Sequence, residues 1–268
     1  MALNIFRHEF KMKLKSVFSW SLAVAALILI FSAMFSAISG QVQSLNDFLA
    51  NYPKELLIAF GLNGVDLSTV LGFFGFIFLF VQICLAIQAA NYGFSLVSVE
   101  EADRTADFLL TKPVKRTQIL TSKLLAAVAG LTVTNAAVWV SSFLFLNLFK
   151  GDHSFDSSPL LLLLASIIVF QLFFLGVGLG ISLLVRRIRS VIPYSLALTF
   201  AMYVLNAFSG QAGASILEKI TPFKHFEPAY ILENRAYDPV LFISVIVILV
   251  SIAGGYVLYS RRDIPAVS

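Results

Sequence analysis

The densest chemistry in this chain of 268 residues lies in one run, SVEEADRTADFLLTKPVKRTQILTSK, from Ser98 to Lys123. Glu100, Glu101, Asp103, Arg104, Asp107, Lys112, Lys115, Arg116 and Lys123 crowd there between two long apolar blocks. Mixed carboxylates and cations can form ion pairs or a charged docking surface. A second set of polar residues is uncharged and lies inside the apolar blocks. Gln88, Asn91 and Ser95 recur at steps of three and four, and Thr132, Asn135 and Ser142 at steps of three and seven, so each trio occupies one helical face. Such faces can line a shallow cavity or hydrogen-bond one helix to the next. His153 stands beside Asp152 and Asp156, but a lone His in a polar loop reads as solvated, and no metal is expected. Cys84 is the single cysteine; it has no disulfide partner within the chain and reads as a small apolar filler.

The missing motifs narrow the function. No G-x-x-x-x-G-K-[ST] phosphate loop and no H-E-x-x-H occurs, so the chain has no recognisable ATPase or zinc-hydrolase site of its own.

The elements that must position these residues follow from composition. Hydrophobic residues make up 59% of the chain and charged residues 13%, and the mean hydropathy is +0.88. A soluble domain carries roughly 25% charged residues. Six runs, approximately Val17–Ser39, Leu67–Val97, Leu124–Phe149, Pro159–Val185, Val191–Ser209 and Pro239–Ser260, contain no Asp, Glu, Lys, Arg or His. Each is close to or above the roughly 20 residues needed to cross a bilayer, and lipid leaves only helices as an option. The expectation is an all-α polytopic membrane protein of six transmembrane helices, with residues 1–268 forming a single domain. The first run is too long for a signal peptide, and five more follow it. Ion-coupled carriers usually keep an ionisable group within the membrane; its absence here weakens that class.

Basic residues set the expected orientation. Of the 19 Lys and Arg residues only Lys54, Lys150, Lys219, Lys224 and Arg235 fall on the side opposite the termini. Cytoplasmic loops are enriched in Lys and Arg, so both termini are expected inside the cell. The net charge of +4 is then a matter of topology and does not call for nucleic acid as a partner.

Between the spans, three segments have character. LNIFRHEFKMKLKSVF at the N terminus places Leu3, Phe6, Phe10, Leu14 and Val17 on one stripe and Arg7, Lys11 and Lys15 on another. That pattern suits an amphipathic interfacial helix over anionic headgroups; the alternative is a helical extension of the first span. Gly40–Asp66 is too apolar for a solvated loop and suggests short surface helices broken at Pro53 and Gly61. Gly210–Asp238 suggests two short helices dipping into the outer headgroup region, divided by Pro222 and Pro228. The run from Glu100 to Leu110 reads as a short helix that Pro113 ends, with residues from Thr117 leading into the third span. Its acids at the start and bases at the end would complement the helix dipole.

The order Glu100, Thr105, Leu109, Leu110, Pro113, Val114, Arg116, Ile119, Leu120, Lys123 resembles the pattern of ABC-2 type transporter permeases, and the likeness is closest to bacterial permeases of the bacitracin-resistance and beta-exotoxin export type. Six spans, the basic amphipathic start and the compact loop before the last span extend the resemblance over essentially the whole chain. Arg104 stands where much of that family has glycine. The resemblance implies a membrane permease subunit, itself not an enzyme, of an exporter in the bacterial plasma membrane. ATP and magnesium would bind not here but on two cytoplasmic ABC ATPase partners, and a second permease copy, identical or related, would complete the pore. It also implies that the segment between spans two and three is a coupling helix docked on the ATPase, with Glu100, Glu101, Arg104, Thr105, Leu109, Pro113, Arg116 and Lys123 as coupling residues. The apolar faces and the polar trios suit an amphipathic or lipid-like cargo such as a peptide antibiotic. Two other classes fit the residues alone: a self-contained channel or secondary carrier, and a non-transporting scaffold or sensor subunit.

Overall fold

The computed structural model describes residues 2–38, 51, 53, 57, 62, 65–102, 115–185, 188–209 and 215–261, without the side chains of 2, 99–102 and 215. Among them are six helices long and apolar enough to cross a membrane and three short ones, and no strand. The long helices are α1 (Ala2–Ile38), α2 (Val70–Ala102), α3 (Arg116–Phe149), α4 (Ser157–Leu184), α5 (Val191–Ser209) and α9 (Leu241–Arg261). The short ones are α6 (Ser215–Ile220), α7 (Pro222–His225) and α8 (Pro228–Asn234).

All six apolar runs are helical, and several helices exceed them. The amphipathic N-terminal stretch is not a separate element. It forms the first turns of α1, a single helix of 37 residues, because no Pro or Gly interrupts it before Ile38. Similarly, α2 runs past Val97 through Glu100 and Glu101, and α3 begins at Arg116, well before Leu124. Gln118 Oε1 accepts the Lys115 amide at 3.3 Å, which satisfies one backbone donor at the start of α3. At the start of α4, Asp156 accepts the Ser158 amide at 2.9 Å, an N-cap contact worth about 1 kcal/mol.

Two helices form the centre. α2 packs along α4, while α1 lies along α3, α5 against α2 and α9 against α4. Glycine permits the central pairing. A Cβ added to Gly93 would stand 2.3 Å from the Leu175 carbonyl oxygen, and one added to Gly178 would stand 3.0 Å from that of Ala90. The backbones of α2 and α4 therefore approach as closely as small-residue membrane interfaces allow. Gly176 and Gly255 likewise meet neighbouring atoms across α4 and α9, whereas Gly180 and Gly254 meet none within 4 Å.

The segment before α9 goes deeper than a headgroup position. Pro222 and Pro228 each open a short helix, as proline at the first turn does, so the segment holds three helices. Phe223 and Phe226 are buried edge-on to Phe170 of α4, with ring centroids 5.2 and 5.9 Å away. Gln82 donates to the Phe226 carbonyl at 2.9 Å. Gln82 lies about 18 Å of helical rise from Val70 at 1.5 Å per residue, so this hairpin reaches well into the bundle. Most of Gly40–Asp66 lies outside the described residues.

Candidate functional site

The site is built at the end of the bundle where α2 stops, α3 starts and α1 begins. Glu100 and Glu101 occupy the last turn of α2 and Arg116 the first position of α3. Arg104, Thr105, Leu109 and Pro113 lie outside the described residues. No new helix opens at Glu100, contrary to the expectation: Glu100 and Glu101 belong to α2. These acids extend α2 instead of opening a new helix, because nothing in Ser98–Ala102 breaks it. Arg116 sits at the positive end of α3. The Arg116 placement opposes the α3 dipole by about 0.3–1 kcal/mol.

Lys123 is not on a solvent face. It is 2% exposed, and its Nζ donates to the Leu96 carbonyl oxygen of α2 at 2.6 Å. Lys13 of α1 is also turned inward. Its Nζ lies 4.0 Å from the Glu9 carboxylate and 5.1 Å from the Tyr92 ring centroid, close enough to Lys123 for the two charges to interact. The Tyr92 hydroxyl donates to Ser16 Oγ at 3.2 Å. Gln88 Nε2 reaches Thr134 Oγ1 at 2.9 Å and the Tyr92 hydroxyl at 3.4 Å. At the same end, the Thr121 and Tyr256 hydroxyls share a hydrogen bond of 2.7 Å, which ties α9 to α3.

The two polar trios do not close around one cavity. Gln88 is buried in the α2–α3 contact, while Asn91 and Ser95 are half-buried, and the Ser95 hydroxyl donates to its own helix at Tyr92. Thr132 is exposed and donates to Val128 of its own turn. Asn135 and Ser142 are buried, with Asn135 Oδ1 and Ser142 Oγ lacking a hydrogen-bond partner. Gln171, 1% exposed, has no partner for either amide atom.

Lys13, Ser16, Tyr92 and Thr134 belong to the cluster but not to the sequence expectation. A signal existed for Lys13. It is off the Arg7, Lys11, Lys15 stripe and four residues from Glu9, on the face that carries Ser16 and the buried Val17. Thr134 and Tyr92 gave no such signal, since threonine and tyrosine are ordinary in apolar helices.

At the other end, His225 is buried and holds the hairpin to α9. Its Nε2 meets the Glu218 carbonyl at 3.1 Å, and Nδ1 meets Ser244 Oγ at 2.6 Å. A carbonyl can only accept, so Nε2 carries the proton and Nδ1 accepts from the serine. Burial pushes the His225 pKa below its ordinary value, against smaller raising effects from the Glu218 and Lys219 backbone and Asp238. His153 rests against the Phe35 ring, 5.8 Å between centroids. Among the described residues no group of three or more His, Cys, Asp and Glu is placed to hold a metal.

Residues 3–264 match the model of a family described as ABC-2 family transporter protein. The chain belongs to that family. It is a membrane permease of the ABC transporter class, and the match extends over all six long helices. The permease matches no curated protein and no solved structure.

Proposed function

We propose that the permease is the membrane subunit of an ATP-driven exporter in a bacterial plasma membrane. Two cytoplasmic ABC ATPases bind the basic end, and a second permease copy completes the path. ATP and magnesium are held by the ATPases, and this chain contributes no catalytic group. Residues 103–115, with the flanking Glu100, Glu101 and Arg116, form the contact that takes up the motion of the ATPase. The single observation carrying this reading is the charge at the elbow. α2 carries Glu100 and Glu101, and α3 starts with Lys115, at its N-cap, and Arg116; the two bases stand against the α3 dipole, an arrangement that costs local stability unless a partner compensates it. Lys123, being buried, acts within the elbow by holding α3 to α2. The cargo is amphipathic or lipid-like, such as a peptide antibiotic. Its passage through a bundle of apolar faces is supported by the unpartnered buried atoms of Gln171, Asn135 and Ser142, which a moving polar group would satisfy.

Charge reversal tests the reading. The doubly substituted permease, Glu100→Lys with Arg116→Glu, is expected to lose ATPase subunits on co-purification and to lose export while still inserting in the membrane. Retention of both would overturn the assignment. Vesicles holding the wild-type complex that turn over ATP without moving any amphipathic probe would instead identify a sensor or scaffold.

A further inference from the structure

At the end of the bundle opposite the α2–α3 elbow, a crevice of about 200 Å³ lies among α1, α2 and α3. Its lining includes Ser32 and Phe35 of α1, Phe73 and Ile77 of α2, and Leu146 and Lys150 at the end of α3. The walls are apolar and buried. Pockets that enclose a whole small molecule measure roughly 300–1,000 Å³, so this one suits a segment of a larger apolar ligand. Two polar groups stand against those walls. The Ser32 hydroxyl, 2% exposed, has no hydrogen-bond partner among the described residues, a state that buried hydroxyls rarely keep. Lys150 follows the last apolar residue of α3, which puts its ammonium at headgroup level. Its Nζ donates to Asn147 Oδ1 at 3.1 Å and lies 5.7 Å from the Phe155 ring centroid, and it forms no ion pair with a described residue. Of the acids in the same loop, Asp156 is held by Arg235 at 3.0 Å and Asp152 is exposed.

The spacing of the two polar groups matches one molecule. α1 and α3 run in the same direction: a Cβ added to Gly130 would stand 3.2 Å from Val17, and further along both helices reach the crevice. Counted from that contact, Ser32 is level with about residue 145 of α3, some 7.5 Å short of Lys150 at 1.5 Å per residue. In a glycerophospholipid the ester carbonyls lie several ångströms from the phosphate on the side of the chains. We propose that the crevice binds one anionic glycerophospholipid of the surrounding membrane. Its phosphate pairs with Lys150, an ester carbonyl accepts from Ser32, and the start of one chain lies against Phe73 and Ile77. The occupant is a resident lipid and not the cargo, and the site stands whether or not the elbow is the motor contact.

The experiment uses the full-length permease in phosphatidylcholine nanodiscs doped with a trace of phospholipid that carries a photoactivatable diazirine near the head of one chain. Two such probes are compared, phosphatidylglycerol and phosphatidylcholine. Crosslinked peptides are quantified by mass spectrometry against those around Phe242, an exposed position of α9 (69%) that meets lipid directly. Phosphatidylglycerol is expected to label residues 32–35 and 73–77 about fivefold more than phosphatidylcholine, the discrimination that one cation gives at a membrane surface. Lys150→Gln is expected to remove that preference and Lys150→Arg to keep it. Ser32→Leu, which fills the crevice, is expected to lower labelling there by both probes and to leave the peptides around Phe242 unchanged. Lys150→Gln changes a residue beyond the end of α3, so it serves if Ser32→Leu fails to fold. Equal labelling by the two probes, a preference that survives Lys150→Gln, or unchanged labelling in folded Ser32→Leu overturns the proposal.

Discussion

At the scale of single residues, Lys123 separates a buried charge from a stabilising one. Its ammonium adds a bond to a carbonyl, Leu96, that lies within α2 and already has a helical amide to accept. Lys123→Met replaces a desolvated cation with an apolar chain of similar length, a change that is often neutral in protein interiors. Its expected effect on thermal stability is within about 1 kcal/mol. Lys123→Glu places a carboxylate against the same carbonyl and is expected to abolish the folded permease, measured as loss of a monodisperse peak in detergent. Glu9 differs because it is the counter-charge of Lys13, 4.0 Å from its ammonium. Glu9→Gln is expected to destabilise by roughly 1–3 kcal/mol, discounted for the 20% exposure of its side chain, and Lys13→Met on top of it should recover most of that loss. A thermal melt of the two single variants and the double gives the coupling directly, and additivity would show that the two charges do not act on one another.

Among the elements, the closest approach is between α2 and α4, and it offers a contrast within one helix type. Gly93→Ala pushes a methyl into the Leu175 backbone at 2.3 Å, where neither helix can give way without losing register, so a cost near or above 3 kcal/mol is expected. Gly180→Ala meets nothing within 4 Å and should be neutral or stabilising by about 0.5–1 kcal/mol through helix propensity. Equal effects on melting would refute the close-packed centre. The six long helices were legible in the sequence because runs without ionisable groups have only one backbone solution in lipid. Their ends were less so. The apolar run stops at Val97, yet Ser98 to Ala102 contains no breaker, so the helix continues into charge and Glu100 opens no helix of its own. The hairpin of α6 to α8 was legible as short helices but not in depth: its mixed charges suggested headgroups, whereas Phe223, Phe226 and the carbonyl taken by Gln82 draw it inward. His225 sits in that hairpin with a lowered pKa, so the docked state disfavours its protonation. Hairpin docking is therefore fully stable above the ordinary histidine pKa near 6.5 and loses stability as pH falls below it. Protease access to residues 215–234 should rise between pH 7.5 and 5 in the wild type and become pH-independent in His225→Gln.

For the whole molecule, burial is uneven in a way that fits lipid on all sides of a small centre. The most apolar windows of α2 and α4 are 67% and 61% buried, whereas those of α1, α5 and α9 are 22%, 22% and 17% buried. The outer helices present Phe18, Phe200, Phe242 and Val250 outward, surfaces that water would penalise at about 25 cal/mol per Å². The bundle fixes which loops share an end, and the proposed orientation turns the basic end toward the cytoplasm. Cations crossing the membrane are costly in either direction of insertion, and the short basic loops are retained inside. Arg7, Lys11, Lys15 and Arg189 mark one end, and the loop of Asp152, His153 and Ser154 marks the other. In a background with Cys84→Ala, a cysteine at Ser154, an exposed position, should react with a membrane-impermeant maleimide on intact cells. A cysteine at Ser190, also exposed, should react only after the membrane is opened. The reverse pattern would place the α2–α3 elbow outside the cell, beyond the reach of any cytoplasmic ATPase, and would remove the proposed drive while leaving the fold untouched.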